Sequence, residues 1–306
     1  MAQILDYNSP AALKAFLDKR EMSMQKKFGQ NFLINESARK KLANATNIEK
    51  NTKIWEVGPG LGALTYELVN KGGIVTAFEI DRGFIRALTD IFTDQIIAEK
   101  LSLISGDFLK TWKNEAKKHG IPDVFFGNLP YNIAATIIGN TINEGVRFEK
   151  LIVTVQKEVA LRMQAKPGTK DYSSFSILCQ WAYEINSLMD LAGGSFWPRP
   201  NVDSRAIVMT KRKNFPACTH PNHFMALQKS LFVSRRKTIK NNLARFYSNT
   251  DLATKVLEKA KIQPSVRAET LSVPTLLTLS DISTDVQNLD AEKNTNTQEL
   301  VHEKNC

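Results

Sequence analysis

The sequence predicts an α/β protein, a mostly parallel sheet with helices on both faces, joined to a small C-terminal all-helical domain. Three observations carry that prediction. From residue 53, apolar segments of strand length alternate with amphipathic segments of helix length. A glycine-rich turn, Gly58-Pro59-Gly60-Leu61-Gly62, joins the first of these strands to its helix. After residue 213, strand patterning gives way to helical periodicity and positive charge.

The elements follow in order. A helix is expected over 9–20, with Ser9 as N-cap and Pro10 at its first position. After the loop Gln25 to Leu33, Asn35 caps a second helix near 36–46. Strands are expected at 53–57, 74–79, 101–105, 123–127 and 151–156. Helices near 62–71, 82–93, 109–118 and 133–143 lie between them. Segments 181–192 and 205–212 read as two later strands forming an antiparallel edge. The stretch Asn214-Phe215-Pro216-Ala217 breaks the pattern. Helical periodicity resumes at 220–234, 238–247, 250–260 and near 273–281. Three regions result: 1–213, of which 1–50 holds the N-terminal helices and loop, then 214–283, then a polar tail 284–306 expected to be disordered.

Composition narrows the class. Of 306 residues, 42% are hydrophobic and 24% charged, enough for a sizeable core, which excludes a disordered chain or a disulfide-stapled miniprotein. No run approaches the roughly 20 apolar residues of a membrane span, and the N-terminus lacks the basic and apolar regions of a secretory signal. Cys179, Cys218 and Cys306 are odd in number and far apart, which points to a reducing, cytoplasmic setting. The net charge of +10 is localised. Residues 195–281 hold 15 Lys/Arg against 5 Asp/Glu, whereas residues 1–194 are only +3. A localised basic surface suits a polyanion; a basic solvated helix face is the plainer reading.

Chemistry concentrates at strand ends. The turn after Trp55-Glu56-Val57 lets backbone approach a ligand, and Gly58-x-Gly60-x-x-Ala63 satisfies a dinucleotide fingerprint. Glu79 follows Gly58 by 21 residues, where a carboxylate accepts from ribose hydroxyls. These two features fit NAD and S-adenosylmethionine alike. Asp107, after the third strand, suits either the amino edge of an adenine or a helix N-cap. S-adenosylmethionine has no pyrophosphate, and its sulfonium tolerates acidic surroundings.

The motif Asn128-Leu129-Pro130-Tyr131 discriminates further. It follows the buried strand Val124-Phe125-Phe126-Gly127 and resembles the signature of amino-methyltransferases. The exocyclic amine of a base has its lone pair delocalised into the ring. Two acceptors aimed at its N–H groups favour a pyramidal, electron-rich nitrogen. The Asn128 carbonyl is one candidate acceptor, and a backbone carbonyl at Leu129 or Pro130 is the other. Pro130 stiffens the turn, and Tyr131 offers a stacking face worth roughly 1–3 kcal/mol.

With these motifs in order, the chain resembles the ribosomal RNA adenine N6,N6-dimethyltransferase family from about Lys26 to Ser272. The resemblance rests on Phe28-Gly29-Gln30-Asn31-Phe32-Leu33, Glu56 to Gly62, Glu79-Ile80-Asp81 and Gly106-Asp107. It continues through Asn128 to Ile133, Phe196 to Ser204 and Ser234 to Leu243. It implies a Rossmann-like S-adenosyl-L-methionine-dependent methyltransferase, with cofactor contacts at Asn31, Leu33, Gly58, Glu79, Asp107 and Asn128. It also implies that Phe196 flanks the target adenine opposite Tyr131. The implied substrate is two adjacent adenosines near the 3′ end of small-subunit rRNA, in the free RNA or an assembling subunit, and the implied enzyme is a monomer without metal. Two features depart from the pattern: Ser173 stands where a glycine is expected after Tyr172, and the tail extends past the usual end.

Arg235, Arg236, Lys237, Lys240 and Arg245 place five positive charges within about three turns of an expected helix, a candidate phosphate contact. Cys218, His220 and His223 lack a fourth nearby ligand and read as linker. Trp55, Trp112, Trp181 and Trp197 read as core or interface aromatics. The competing readings are a large-subunit rRNA adenine methyltransferase of the macrolide-resistance type, a non-catalytic RNA-binding assembly factor, and a nicotinamide oxidoreductase. The last gives Asn128 to Tyr131 and the basic helices no role.

Overall fold

The computed structural model describes residues 5–22 and 30–303, with side chains to residue 289; Gln25 to Gly29 of the loop lie outside the described residues. Contacts group the chain into two units, Met1–Leu161 with Tyr183–Lys211, and Arg162–Ala182 with Arg212–Cys306.

The first unit opens with α1 (Pro10–Lys19), where the Ser9 side chain accepts from Ala12 N as its composition predicts. A two-residue strand, β1 (Phe32–Leu33), precedes α2 (Glu36–Ala45), capped by Asn35. The alternation then runs β2 (Lys53–Val57), α3 (Ala63–Asn70), β3 (Ile74–Glu79), α4 (Arg82–Ile91), α5 (Thr93–Ile97), β4 (Leu101–Ser105) and α6 (Phe108–His119). It continues with β5 (Val124–Asn128), α7 (Ala134–Asn143), β6 (Lys150–Gln156), α8 (Lys157–Met163), β7 (Tyr183–Leu191), β8 (Phe196–Trp197) and β9 (Ser204–Lys211).

Seven strands form one sheet in the order β4-β3-β2-β5-β6-β9-β7. β2 to β6 are parallel, β9 is antiparallel to β6, and β7 is antiparallel to β9, which matches the expected antiparallel edge. The order reverses between β2 and β5, so connections on either side leave in opposite directions and open a crevice at the strand ends. Edge-to-face rings fill one core layer, with Trp55 at 5.3 Å from Phe78 and Phe108 at 5.6 Å from Phe125.

Several features differ from the sequence reading. β1 and β8 pair in a separate two-stranded ladder, Phe32 with Trp197 and Leu33 with Phe196. Two residues carry no periodicity, so pattern cannot announce them. β6 passes directly into α8 without a turn signal, and the strand expected from 181 starts at Tyr183. Segment 162–182, expected within the first region, groups instead with the helices.

That second unit comprises α9 (Ser174–Ala182), α10 (Pro221–Leu231), α11 (Ile239–Tyr247), α12 (Thr250–Lys259) and α13 (Val273–Glu303). Three contacts explain why α9 belongs there. Tyr172 Oη donates to Leu271 O at 3.0 Å, Ser174 Oγ donates to Gln228 Oε1 at 2.7 Å, and the Trp181 ring lies 4.9 Å from Phe224. The tail expected to be disordered from 284 is helical to Glu303. Its buried stripe, Leu276, Leu279, Ser283 and Val286, runs past the predicted end at helical spacing. His223 Nε2 and Tyr247 Oη both meet Ser283 Oγ on that stripe.

Candidate active site

The carboxyl ends of β2, β3, β4 and β5 open onto one cleft. Its walls include Asn31 just before β1, Leu33 on β1, Gly58 and Gly60 from the glycine turn, Glu79, Ile80, Asp107 and Asn128. Its empty volume is about 860 Å³ including the open mouth, within the range of small-molecule sites. The six residues singled out in the sequence as cofactor contacts, Asn31, Leu33, Gly58, Glu79, Asp107 and Asn128, therefore share one surface.

Local backbone explains the shape. Gly58, Gly60 and Gly62 all adopt left-handed φ, at 71°, 59° and 87°. A Cβ at Gly60 would lie 2.9 Å from the Phe32 ring, so a side chain there would have to push that ring aside, in addition to straining the backbone. α3 begins at Gly62 without a side-chain cap, which leaves its first N–H groups for a ligand anion.

Two carboxylates dominate the electrostatics. Glu79 is 5% exposed, and burial pushes its pKa up to about 7. Its Oε2 accepts from Gly60 N at 3.2 Å and its Oε1 from Asp81 N at 2.9 Å, which hold the carboxyl against the turn. Asp107 serves as helix cap and cleft wall at once: Oδ1 accepts from Leu109 N at 3.0 Å. A third carboxylate, Glu56, lies fully buried on β2, pushed up to about 8 by desolvation. Thr65 Oγ1 donates to its Oε2 at 2.6 Å, and Oε1 has no partner. The sequence carried a signal for it, a lone acid among Ile54, Trp55 and Val57.

Asn128 ends β5. Its Nδ2 donates to Asn31 O at 2.9 Å, which fixes the amide orientation and leaves Oδ1 buried with no partner. A buried carbonyl without a donor is costly, and an incoming N–H relieves that cost. The two candidates for the second acceptor differ in what they already bind: Pro130 O accepts from Ile133 N and Ala134 N at 3.1 and 3.0 Å. Leu129 is itself anchored through its N–H to Thr154 O at 3.0 Å. The Tyr131 hydroxyl meets Ser204 Oγ at 2.6 Å, a contact between β9 and the turn that the sequence did not suggest.

Other expected residues lie elsewhere. Phe196 is 2% exposed and packs with Leu33, Leu191 and Ala206. Its ladder partner Leu33 lines the cleft, whereas Phe196 is not among the lining residues. Arg235, Arg236 and Lys237 occupy the turn between α10 and α11, not a helix; Lys240 and Arg245 are on α11. Arg235 is tied down, with Nε and Nη2 each 2.9 Å from Glu269 Oε2 and Nη1 donating to Lys170 O at 2.9 Å. Arg236, Lys237 and Arg245 are exposed.

A Rossmann-like sheet with a glycine turn, acidic strand ends and a strand-end Asn-Leu-Pro-Tyr defines the class as methyltransferases of S-adenosyl-L-methionine. The chain matches the ribosomal RNA adenine dimethylase model over residues 21–285. It is 45% identical over 280 residues to ribosomal RNA small subunit methyltransferase A of Treponema denticola, covering 90% of this chain and 95% of that one. It is 39% identical over 245 residues to the protein of the same name in Borreliella burgdorferi, covering 80% and 84%. Among solved structures, it resembles a dimethyladenosine transferase from Plasmodium falciparum with a TM-score of 0.67 at 22% identity, covering 80% of this chain and 94% of that one. It also resembles the 23S rRNA methyltransferase ErmE with a TM-score of 0.61 at 21% identity, covering 82% and 99%. These two structures establish the fold. The chain belongs to the ribosomal RNA adenine dimethylase family, and it is an S-adenosyl-L-methionine-dependent methyltransferase.

Proposed function

We propose that this enzyme dimethylates the N6 amines of two adjacent adenosines near the 3′ end of small-subunit rRNA, as the RNA or in an assembling subunit. The observation that carries the reading is the Asn128 carbonyl, buried on the cleft wall, unpartnered, and held in orientation by Asn31. The relatives' names support the small subunit as target.

The cofactor supplies an electrophilic methyl group on a cationic sulfur. The chain's own residues do the rest. Asn31, Leu33 and Gly58 shape the wall, and the first turn of α3 meets the carboxylate of the cofactor. With the cofactor bound, Glu79 would accept from its ribose hydroxyls and Asp107 from the amino edge of its adenine. Asn128 Oδ1 and Leu129 O accept from the target amine, while Tyr131, held by Ser204, stacks on the base. Positioning and fixed dipoles lower the barrier, so no tuned base is required. The methylated nitrogen is transiently acidic and releases its proton to water.

Arg236, Lys237, Lys240 and Arg245 meet phosphates; Arg235 shapes the turn that presents them. We place the enzyme in the cytoplasm as a monomer. Among the described residues no helix is long and apolar enough to cross a membrane.

The test is methyl transfer from labelled S-adenosylmethionine to small subunits lacking dimethyladenosine, with large subunits and Asn128→Ala alongside. Dimethyladenosine in the small-subunit RNA, lost in the variant, is expected. Label confined to the large subunit would reassign the substrate. No label, with cofactor binding intact, would leave an assembly role.

A further inference from the structure

We propose that Arg39 is a positioning residue for the cofactor cleft, setting the wall formed by residues 31–33 and tying it to the N-terminal segment before α1. Arg39 lies on α2 and is 3% exposed. Desolvation of its guanidinium lowers its pKa, and the nearest carboxylate, Glu67, is 3.9 Å away. A buried cation with such a loose ion pair is expensive, so its retention needs a compensating role in its hydrogen bonds.

Those bonds join segments distant in sequence. Nη1 donates to Leu33 O at 3.0 Å, and Nη2 donates to Asn8 Oδ1 at 2.6 Å. The guanidinium lies 6.0 Å from the Tyr7 ring centroid, and Tyr7 Oη donates to Leu61 O in the glycine turn at 3.1 Å. One side chain therefore connects the N-terminal segment, β1 and, through Tyr7, the glycine turn.

The consequence reaches the reacting atoms through the backbone. Leu33 and Asn31 both line the cleft, and Asn31 O is the acceptor that orients the Asn128 amide. Behind them, Ile34 N and Asn35 N donate to Ser195 O at 2.9 and 3.3 Å. The strand is held at Asn31 by Asn128 and after Leu33 by Ser195, and Arg39 fixes the carbonyl between. Without that bond the Leu33 peptide is held only from its other side, by Ile34 N on Ser195 O and the β1–β8 ladder; the wall loosens towards the cleft, Asn31 O shifts, and Asn128 Oδ1 loses its aim. Arg39 acts through this wall and touches neither cofactor nor base.

The experiment compares Arg39→Met, Arg39→Lys and Asn8→Ala with the full-length enzyme, reading the calorimetric Kd for S-adenosylmethionine and the thermal midpoint. Met209→Ala, a buried site on β9 away from the cleft, controls for lost stability. Arg39→Met is expected to weaken cofactor binding about tenfold, the scale of a charged hydrogen bond. Arg39→Lys should fall between it and wild type. Asn8→Ala should cost about threefold on its own and little more when added to Arg39→Met, because both remove one connection. Wild-type affinity in Arg39→Met, or an equal loss in Met209→Ala at matched stability, would overturn the proposal. Should Arg39→Met not fold, an unchanged Kd in Asn8→Ala would overturn it as well. Because the inference rests on this cleft being the cofactor site, Glu79→Gln is included; wild-type affinity there would reject the cleft and the clamp together, whereas weakening there with none in the Arg39 variants would reject the clamp alone.

Discussion

The cofactor cleft and the basic turn between α10 and α11 are both clusters of charge, built on opposite physical terms. In the cleft, Glu79 and nearby Glu56 are withdrawn from water and shifted towards neutrality. Backbone N–H groups and a threonine hold them at defined positions. In the turn, Arg236 and Lys237 stand in solvent, and Arg235 is spent on Glu269. A cofactor of fixed shape is recognised by groups that cannot move, each of which matters individually. A polyanion is recognised by mobile cations whose contributions are small, similar and screened by salt.

Asn128 tests the rigid half most severely. Asn128→Ala removes the oriented carbonyl and is expected to cut methyl transfer by about 100-fold or more, the scale of losing one preorganised polar group. Single-turnover assays on dimethylation-deficient small subunits measure this. A loss below tenfold would mean that the backbone acceptor suffices.

Glu79 comes next. Glu79→Gln is expected to weaken cofactor binding by about tenfold, since an ionised acceptor makes the stronger hydrogen bond. In the wild type the carboxyl must ionise to accept from ribose hydroxyls and face a sulfonium. With its pKa near 7, affinity should therefore rise as pH increases through 7 and fall below it, and the Gln variant should show a flat profile. Calorimetry between pH 5.5 and 8.5 decides this, and parallel profiles would assign the pH dependence to another group.

The exposed half should behave differently. Arg236→Glu with Lys237→Glu is expected to weaken RNA or subunit binding about tenfold at moderate salt, and less as salt increases. Cofactor affinity should stay constant. An effect of equal size at high salt would indicate shape recognition instead.

Glu56 gives the smallest effect and sharpens the contrast. Its folded pKa near 8 is above its unfolded value, so the folded state holds the extra proton, and stability falls as pH rises from about 4.5 through 8. Glu56→Gln removes that loss. The variant should be more stable than wild type at pH 8.5, by about 1 kcal/mol after relaxation, and close to it at pH 5. Urea midpoints at the two pH values check the sign.

Local pattern determined much of this protein. Alternating apolar segments located β2 to β6 within a residue or so, because strand burial imprints a period that survives in sequence. Ser9 and Asn35 were readable as caps because capping is a contact over three residues. The strand-end motifs placed Gly58, Glu79, Asp107 and Asn128 on one edge, since strand ends in a parallel sheet converge by topology.

Tertiary structure decided the rest. Phe196 is buried in the core cluster, paired with Leu33 in a two-residue ladder that joins segments far apart in the chain. The cations at 235–237 fell on a turn, and Arg235 was committed to a glutamate 34 residues away. Arg39, unremarkable on an amphipathic helix, became a link between segments 31 residues apart. Each of these depends on partners distant in sequence, and such pairings leave no period or spacing along the chain.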